Sequence, residues 1–317
     1  MTPALVLPRN KPARKFQYLD PGSIIKSPDF RIVESFLKIT KRTQIGWHYI
    51  VDLTWIYSLA KGWPVGSRVL DAGGGAGPAQ FLLLEMGMDV VNIDLLHTGS
   101  PFYYAKRYGL EVERLESYAA TEYVTHLKRV SSRRAGLGRL RQVMARNSFV
   151  RRLRYQQYKR AHDQWQRLAG LNDRLVGRLK LLSGNLCHMP EVPAASFDAV
   201  VSLSALEHIP MAILPRALEE IDRVLKPGAY RAITTSATEK PTWFHEPSKG
   251  LCFAQADLER LFGAELLGTS EPATILEKYR NTSYLQDHLA EFYKKSGNNG
   301  MPWGKWNPQY IPAGIRN

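Results

Sequence analysis

At 317 residues, with 44% hydrophobic and 23% charged side chains, the chain has room for one large domain or two and the balance of a globular protein, which excludes a disordered or collagen-like one. Only Cys187 and Cys252 are present, excluding a disulfide framework and a cysteine-rich zinc site, and no apolar run approaches the roughly 18 residues that cross a bilayer. The net charge of +14 is concentrated: residues 98–180 hold 19 Lys/Arg and 6 Asp/Glu, whereas the rest holds 24 and 23. The opening residues lack the basic-then-apolar order of a secretory signal. A cytoplasmic protein with no bound metal is expected.

In chain order, residues 1–26 are proline-rich and polar and read as an extended arm. Ser27-Pro28-Asp29 starts a helix, with a capping serine, a proline at the first helical position and an acid facing the helix dipole. That helix runs to about Thr40, and a second spans residues 47–61 before Gly62. A strand at 68–72, a glycine cluster, a helix over 78–86 and an apolar strand at 89–94 make a βαβ start. Continuously apolar strands between helices imply a parallel sheet. The series resumes with strands at 179–182 and 197–203, then a helix over 214–225 with apolar residues at 214, 218, 221 and 225. A strand at 230–235, a helix over 255–262 closed by Gly263, and a strand at 265–269 follow. Residues 98–180 interrupt the series with Arg-rich, mostly helical sequence, in which Leu127, Val130, Leu137, Leu140 and Met144 fall at roughly helical spacing.

Residues 68–77 read RVLDAGGGAG. A strand ending in Asp71, followed by Gly73, Gly75 and Gly77, lets the backbone turn sharply and come close to a ligand before a helix begins. The dinucleotide fingerprint fails, because its sixth position is Pro78 counted from Gly73 and Gln80 counted from Gly75. There is no P-loop.

The pattern that fits is D-x-G-x-G-x-G, and three further blocks follow in order. VVNIDLL, from Val90, puts Asp94 at the end of a strand, 17 residues after Gly77; residues 196–210 read SFDAVVSLSALEHIP and residues 219–236 EEIDRVLKPGAYRAITTS. With these four blocks the chain resembles the class I S-adenosylmethionine-dependent methyltransferases. The resemblance implies an α/β fold: a Rossmann-like class I methyltransferase sheet, with a basic helical insertion after the second strand. It implies S-adenosylmethionine as cofactor, its methionine part at Asp71, Gly73, Gly75 and Gly77 and its ribose on the carboxylate of Asp94, which can accept two hydrogen bonds. Asn185 stands where the family often has an acid near the adenine amine, and its amide oxygen can accept there; Ser202, in the third block, is assigned to the cofactor as well. The expected division is an N-terminal arm and covering helices (1–65), a cofactor-binding core (66–97 and 181–270), the insertion (98–180) and a C-terminal extension (271–317).

Methyl transfer from a sulfonium is an in-line displacement in which positioning supplies much of the rate, and a hydroxyl acceptor gains from a general base. Glu207 and His208 follow the fourth strand at the carboxyl edge of the sheet, where ligands bind in such folds. His208 is the first candidate base; its other reading is a cap for the next helix. His245, beside Glu246 in residues 243–250, is the second, against a solvated loop. His48 and Tyr49 open the helix that often covers the cofactor in this family; they reach a ligand or simply pack. Trp303, Trp306 and Tyr310 stack on a sugar face or anchor the tail.

The insertion admits three readings: a solvated helical subdomain or protein contact, a face for an anionic membrane surface with Phe149, Tyr155, Tyr158 and Trp165 interleaved among the cations, and a nucleic-acid contact. The expected activity is methyl transfer, on oxygen, to a small-molecule or glycan acceptor of surface-polysaccharide or secondary-metabolite kind. The alternative enzyme is an RNA or DNA methyltransferase, although Ser204-Ala205-Leu206-Glu207 stands where amino-group base methylation commonly uses Asn/Asp-Pro-Pro-Tyr. The non-enzyme alternative is a cofactor-binding scaffold.

Overall fold

The computed structural model describes residues 14–42, 45–95, 101–117, 148–171, 175–287 and 306–317. The first strand, β1 (Arg14–Tyr18), is followed by helices α1 (Pro21–Lys26), α2 (Pro28–Ile39) and α3 (Tyr49–Ala60). Ser27 caps α2 by accepting the Phe30 amide hydrogen at 3.2 Å, with Pro28 at the first helical position. Then come β2 (Arg68–Ala72), α4 (Pro78–Glu85), β3 (Asp89–Asp94), α5 (Pro101–Tyr108) and β4 (Glu111–Arg114). After α6 (Ser148–Leu168) the chain forms β5 (Leu179–Ser183), β6 (Phe197–Leu203), α7 (Leu214–Val224) and β7 (Leu225–Ala237). A short hairpin, β8 (Trp243–His245) and β9 (Gly250–Cys252), precedes α8 (Gln255–Phe262), β10 (Ala264–Leu266), α9 (Pro272–Arg280) and β11 (Ile311–Arg316).

Among the described residues nine strands form one sheet in the order β10-β1-β11-β7-β6-β2-β3-β5-β4. Only β11 runs antiparallel, to β1 on one side and β7 on the other. From β2 the chain builds outward to β3 and β5, then returns to lay β6 and β7 on the other side. The order therefore reverses between β2 and β6, and the crevice at their carboxyl ends is where such sheets bind ligands. Both strands are buried at nearly every position because helices cover the two faces.

Several segments differ from the sequence expectation. Residues 14–18, expected within an extended arm, form a strand inside the sheet, and residues 111–114 form its far edge within the stretch expected to be mostly helical. The C-terminal strand was hidden by Pro312 and Gly314. The glycine is there because α3 lies against it: a Cβ at 314 would stand 2.6 Å from Trp55 Cζ2. Residues 243–250, for which a solvated loop was one reading, belong to the small hairpin that ends at Cys252.

The basic segment is held to the core by buried polar contacts. Arg107 reaches Glu85 of α4 through Nε at 2.6 Å and Nη2 at 2.7 Å, and Asp163 of α6 through Nη1 at 3.0 Å. Tyr108 donates to Glu85 at 2.7 Å, and Trp165 donates from Nε1 to the Ile32 carbonyl at 2.9 Å. Trp165 is thus buried in the core, Tyr155 is buried beneath Lys106 and Tyr158 is half-buried, so these three rings do not serve the membrane-facing reading, one of the three, in which they are interleaved among the cations. The Leu127-to-Met144 stripe, the side chain of Phe149, and Trp303 lie outside the described residues.

Candidate functional site

The loop from β2 to α4 turns twice through the left-handed region, at Gly73 (φ +73°) and Gly75 (φ +48°). Its shape is fixed from below. Asp94, at the end of β3, accepts the Gly75 amide hydrogen on Oδ2 at 3.0 Å; Asn92 Nδ2 and Gln80 Nε2 donate to the Gly75 carbonyl at 3.0 and 3.1 Å. Side chains are excluded: a Cβ at Gly73 would meet that of Ala205 at 2.7 Å, and one at Gly77 the Gly74 carbonyl oxygen at 2.8 Å.

Asp71 is fully buried beneath this turn, and among the described residues neither carboxylate oxygen has a hydrogen-bond partner. Burial, reinforced by the charge of Asp94, pushes its pKa up to about 7. Gln80 Oε1 and Asn92 Oδ1 are also buried without a donor. With Asp71 ionised such a set only accepts, so it fits a ligand that brings positive charge and N–H donors. Of the other expected cofactor residues, half-buried Asn185 accepts the Cys187 amide hydrogen on Oδ1 at 2.9 Å, which leaves that oxygen one lone pair. Ser202 is fully buried and donates to the Ala72 carbonyl at 2.9 Å, tying β6 to β2.

A cavity of about 620 Å³ opens beside the turn, walled by Ala76, Gly77 and Pro78 on one side and by Ser204, Glu207 and His208 from the loop after β6 on another. The beginning of α3 closes it with Trp47, His48 and Tyr49; Arg42, Ser248 and Tyr310 complete much of the wall. Glu207 is buried, and burial raises its pKa above the ordinary carboxylate range. His208 is exposed, with Nδ1 2.8 Å from the Lys249 carbonyl oxygen, to which it donates. Gly250 lets β9 approach both: a Cβ there would be 3.2 Å from Glu207 Cγ and 3.4 Å from His208 Cε1.

His245 does not line the cavity. It is fully buried, its Nδ1 lies 2.6 Å from Ser248 Oγ, and burial lowers its pKa. Its ring touches Ser248 and Tyr310, both of which line the cavity. Tyr310 accepts a hydrogen bond from Trp47 Nε1 at 3.0 Å, and Trp306 donates to the Arg280 carbonyl at 3.0 Å, so both anchor the tail to the core.

The sequence left unassigned two wall residues, Arg42 and Ser204, and Asp52, the buried partner of His48 behind the wall. Arg42 stacks on the Phe81 ring, 3.7 Å from its centroid, and its Nε is buried without an acceptor among the described residues. Ser204 holds φ +44°, unusual for a residue with a side chain, while donating its amide to Thr234 Oγ1 at 3.1 Å. The i, i+4 spacing of His48 and Asp52 was the available signal.

A doubly wound sheet, a glycine turn at its reversal point and a carboxylate closing the second strand define the class I methyltransferase fold. Residues 135–233 match a family model described as a methyltransferase domain. That span leaves out the glycine turn, whose geometry stands on its own. The chain has the fold of the S-adenosylmethionine-dependent methyltransferases and carries a methyltransferase-domain match over those residues. Among solved structures it is similar to the [4+2]-cyclase SpnF, at 16% identity over 86% of this chain and 82% of that one, with a TM-score of 0.45. It is also similar to 1,6-didemethyltoxoflavin-N1-methyltransferase of Burkholderia thailandensis, which has 1,6-didemethyltoxoflavin and S-adenosylhomocysteine bound, at 14% identity over 80% and 72% with a TM-score of 0.35. No curated protein sequence matches.

Proposed function

We propose that this methyltransferase acts on a hydroxyl of a small-molecule or glycan acceptor held in the cavity beside the glycine turn. One observation carries the reading: a single space of about 620 Å³, within the size range of small-ligand sites, joins the turn to Glu207, His208 and an aromatic wall. When bound, S-adenosylmethionine supplies an electrophilic methyl group on a sulfonium. Asp94 holds the ribose hydroxyls, and Asp71 with its neighbouring orphaned acceptors favours the cationic methionine end. Arg42 takes the carboxylate, which meets its unpartnered Nε. Asn185 offers its remaining lone pair to the adenine amine.

The wall residues orient the acceptor and move its proton. Trp47, Tyr49 and Tyr310 give flat apolar faces and exclude water, which strengthens every charge interaction inside. Calorimetry with S-adenosylhomocysteine tests the reading. Wild-type protein should bind, and Asp94→Ala and Gly75→Val should lose most of the affinity while circular dichroism shows both still folded. Wild-type protein that binds none would refute it.

A second reading concerns where the enzyme works. The outward face of α6 carries Leu153, Arg160, Arg167 and Leu168, all exposed, opposite the buried Tyr155, His162 and Trp165. Cations flanked by exposed leucines suit an anionic membrane surface, which supports an acceptor presented there. Among the described residues no helix is long and apolar enough to cross a membrane.

A further inference from the structure

His48 stands at the start of α3, and Asp52 follows it by one turn on the same face. His48 Nδ1 is 2.7 Å from Asp52 Oδ2, and both side chains are buried. In the tautomer that pairs the two, Nδ1 donates its hydrogen to the carboxylate oxygen. His48 belongs to the cavity wall, and Nε2, with its lone pair, is the ring nitrogen left to the cavity. We propose that His48 is the general base of the methyl transfer and that Asp52 is its positioning residue. This rests on the hydroxyl-acceptor reading above.

The surroundings support the pair from a second element. Ser204 donates from Oγ to the same Asp52 oxygen at 3.2 Å, and it does so from a left-handed backbone conformation that its bonds to Thr234 maintain. A buried side-chain-bearing residue at positive φ costs energy and persists only where its neighbours impose it. Here the imposed geometry brings the loop after β6 onto the acid that orients His48.

The two histidines singled out in the sequence are worse placed. His208 rests on a neutral carbonyl, which stabilises an imidazolium less than a carboxylate does. His245 is shut behind the wall. In the reaction the acceptor oxygen's lone pair forms the new carbon–oxygen bond, and the electrons of the broken carbon–sulfur bond leave on sulfur as a neutral thioether. The hydroxyl proton passes to His48 Nε2, and Asp52 stabilises the resulting imidazolium. Buried Glu207, on the same wall, is the other acid facing this site.

Two measurements on the full chain test the assignment without a known acceptor. Diethyl pyrocarbonate acylates accessible, unprotonated imidazole nitrogens; peptide mass spectrometry should find His48 modified, about fivefold more slowly in Asp52→Asn. Nitrogen-15 spectra of histidine-labelled protein, assigned by His48→Gln, should show His48 with Nδ1 protonated and Nε2 bare. With a panel of phenols headed by catechol, His48→Gln should lower kcat about 10²–10⁴-fold with little change in KM or in S-adenosylhomocysteine affinity. An unmodified His48, the opposite tautomer, or a larger kcat loss in His208→Ala overturns the proposal. Loss of S-adenosylhomocysteine binding by wild-type protein would instead remove the reading beneath it, so the two failures are separable.

Discussion

Asp71 sits so close beneath Gly74 that no side chain can stand at 74: a Cβ there would lie 1.9 Å from Asp71 Oδ2. The glycine is required by the carboxylate, not by the turn's dihedral angles. Gly74→Ala should therefore lower the melting temperature and abolish S-adenosylhomocysteine binding. The same substitution should cost much less stability in an Asp71→Ala background, because contacting residues are not additive. Binding should stay lost in the double variant. Equal cost in both backgrounds, read from thermal melts, would mean that the overlap is relieved elsewhere.

The ionisation of Asp71 should be visible in the pH dependence of the free protein. Its pKa is raised from 3.8 to about 7 by burial and by Asp94, so between those values the folded chain binds more protons than the unfolded chain. Stability from this group is greatest at low pH and falls as pH rises through about 7. Asp71→Asn should flatten that slope in urea titrations at pH 5.5 and 8. A ligand carrying an ammonium prefers the ionised acid, so S-adenosylhomocysteine affinity should rise from pH 6 to 8 in wild type but not in Asp71→Asn. Affinity falling over that range would contradict the assignment of this acid to the cationic end.

The buried Arg107–Glu85 pair should dominate the attachment of α5 and α6. Glu85 is fully buried and the Arg107 side chain is 5% exposed. Removing one partner strands a buried charge, at a cost of about 3–5 kcal/mol. Arg107→Met should show that loss by urea denaturation, and Arg107→Met with Glu85→Leu should recover most of it. A single variant costing under about 1 kcal/mol would mean that water reaches Glu85.

The parallel core was legible because its strands are buried on both faces and read as short apolar runs, as at residues 68–72, 89–94 and 197–203. Asp94 was legible because its place at a strand end follows from the same periodicity. The strands at 14–18 and 311–316 were not, since β1 opens on two charged residues, β11 contains a proline and a glycine, and what holds them, a pairing across 300 residues and the Trp55 ring against Gly314, is tertiary. The His48–Asp52 pair was visible only as an i, i+4 spacing in a helix that is otherwise core. What makes it notable, Ser204 closing on the acid from 152 residues away, has no local sequence signature.

The last prediction concerns the outward face of α6. Arg152, Arg154, Arg160 and Arg167 are exposed and make no ion pair among the described residues, whereas Lys159 and Arg107 are tied to Asp163. Exposed Leu153 and Leu168, 49% and 54% accessible, lie on the same side as Arg160 and Arg167. Each cation near an anionic bilayer contributes about 1 kcal/mol and the attraction is screened by salt, while the leucines add an apolar part that salt does not screen. Co-sedimentation with phosphatidylglycerol vesicles should exceed that with neutral vesicles and survive in part at high salt. Arg160→Gln with Arg167→Gln should weaken it about 30-fold, the equivalent of two such cations, and Leu153→Ser with Leu168→Ser should remove the salt-resistant fraction. Equal sedimentation with both vesicle types, or retention by RNA alone, would take the membrane reading away and leave α6 as a protein or nucleic-acid contact.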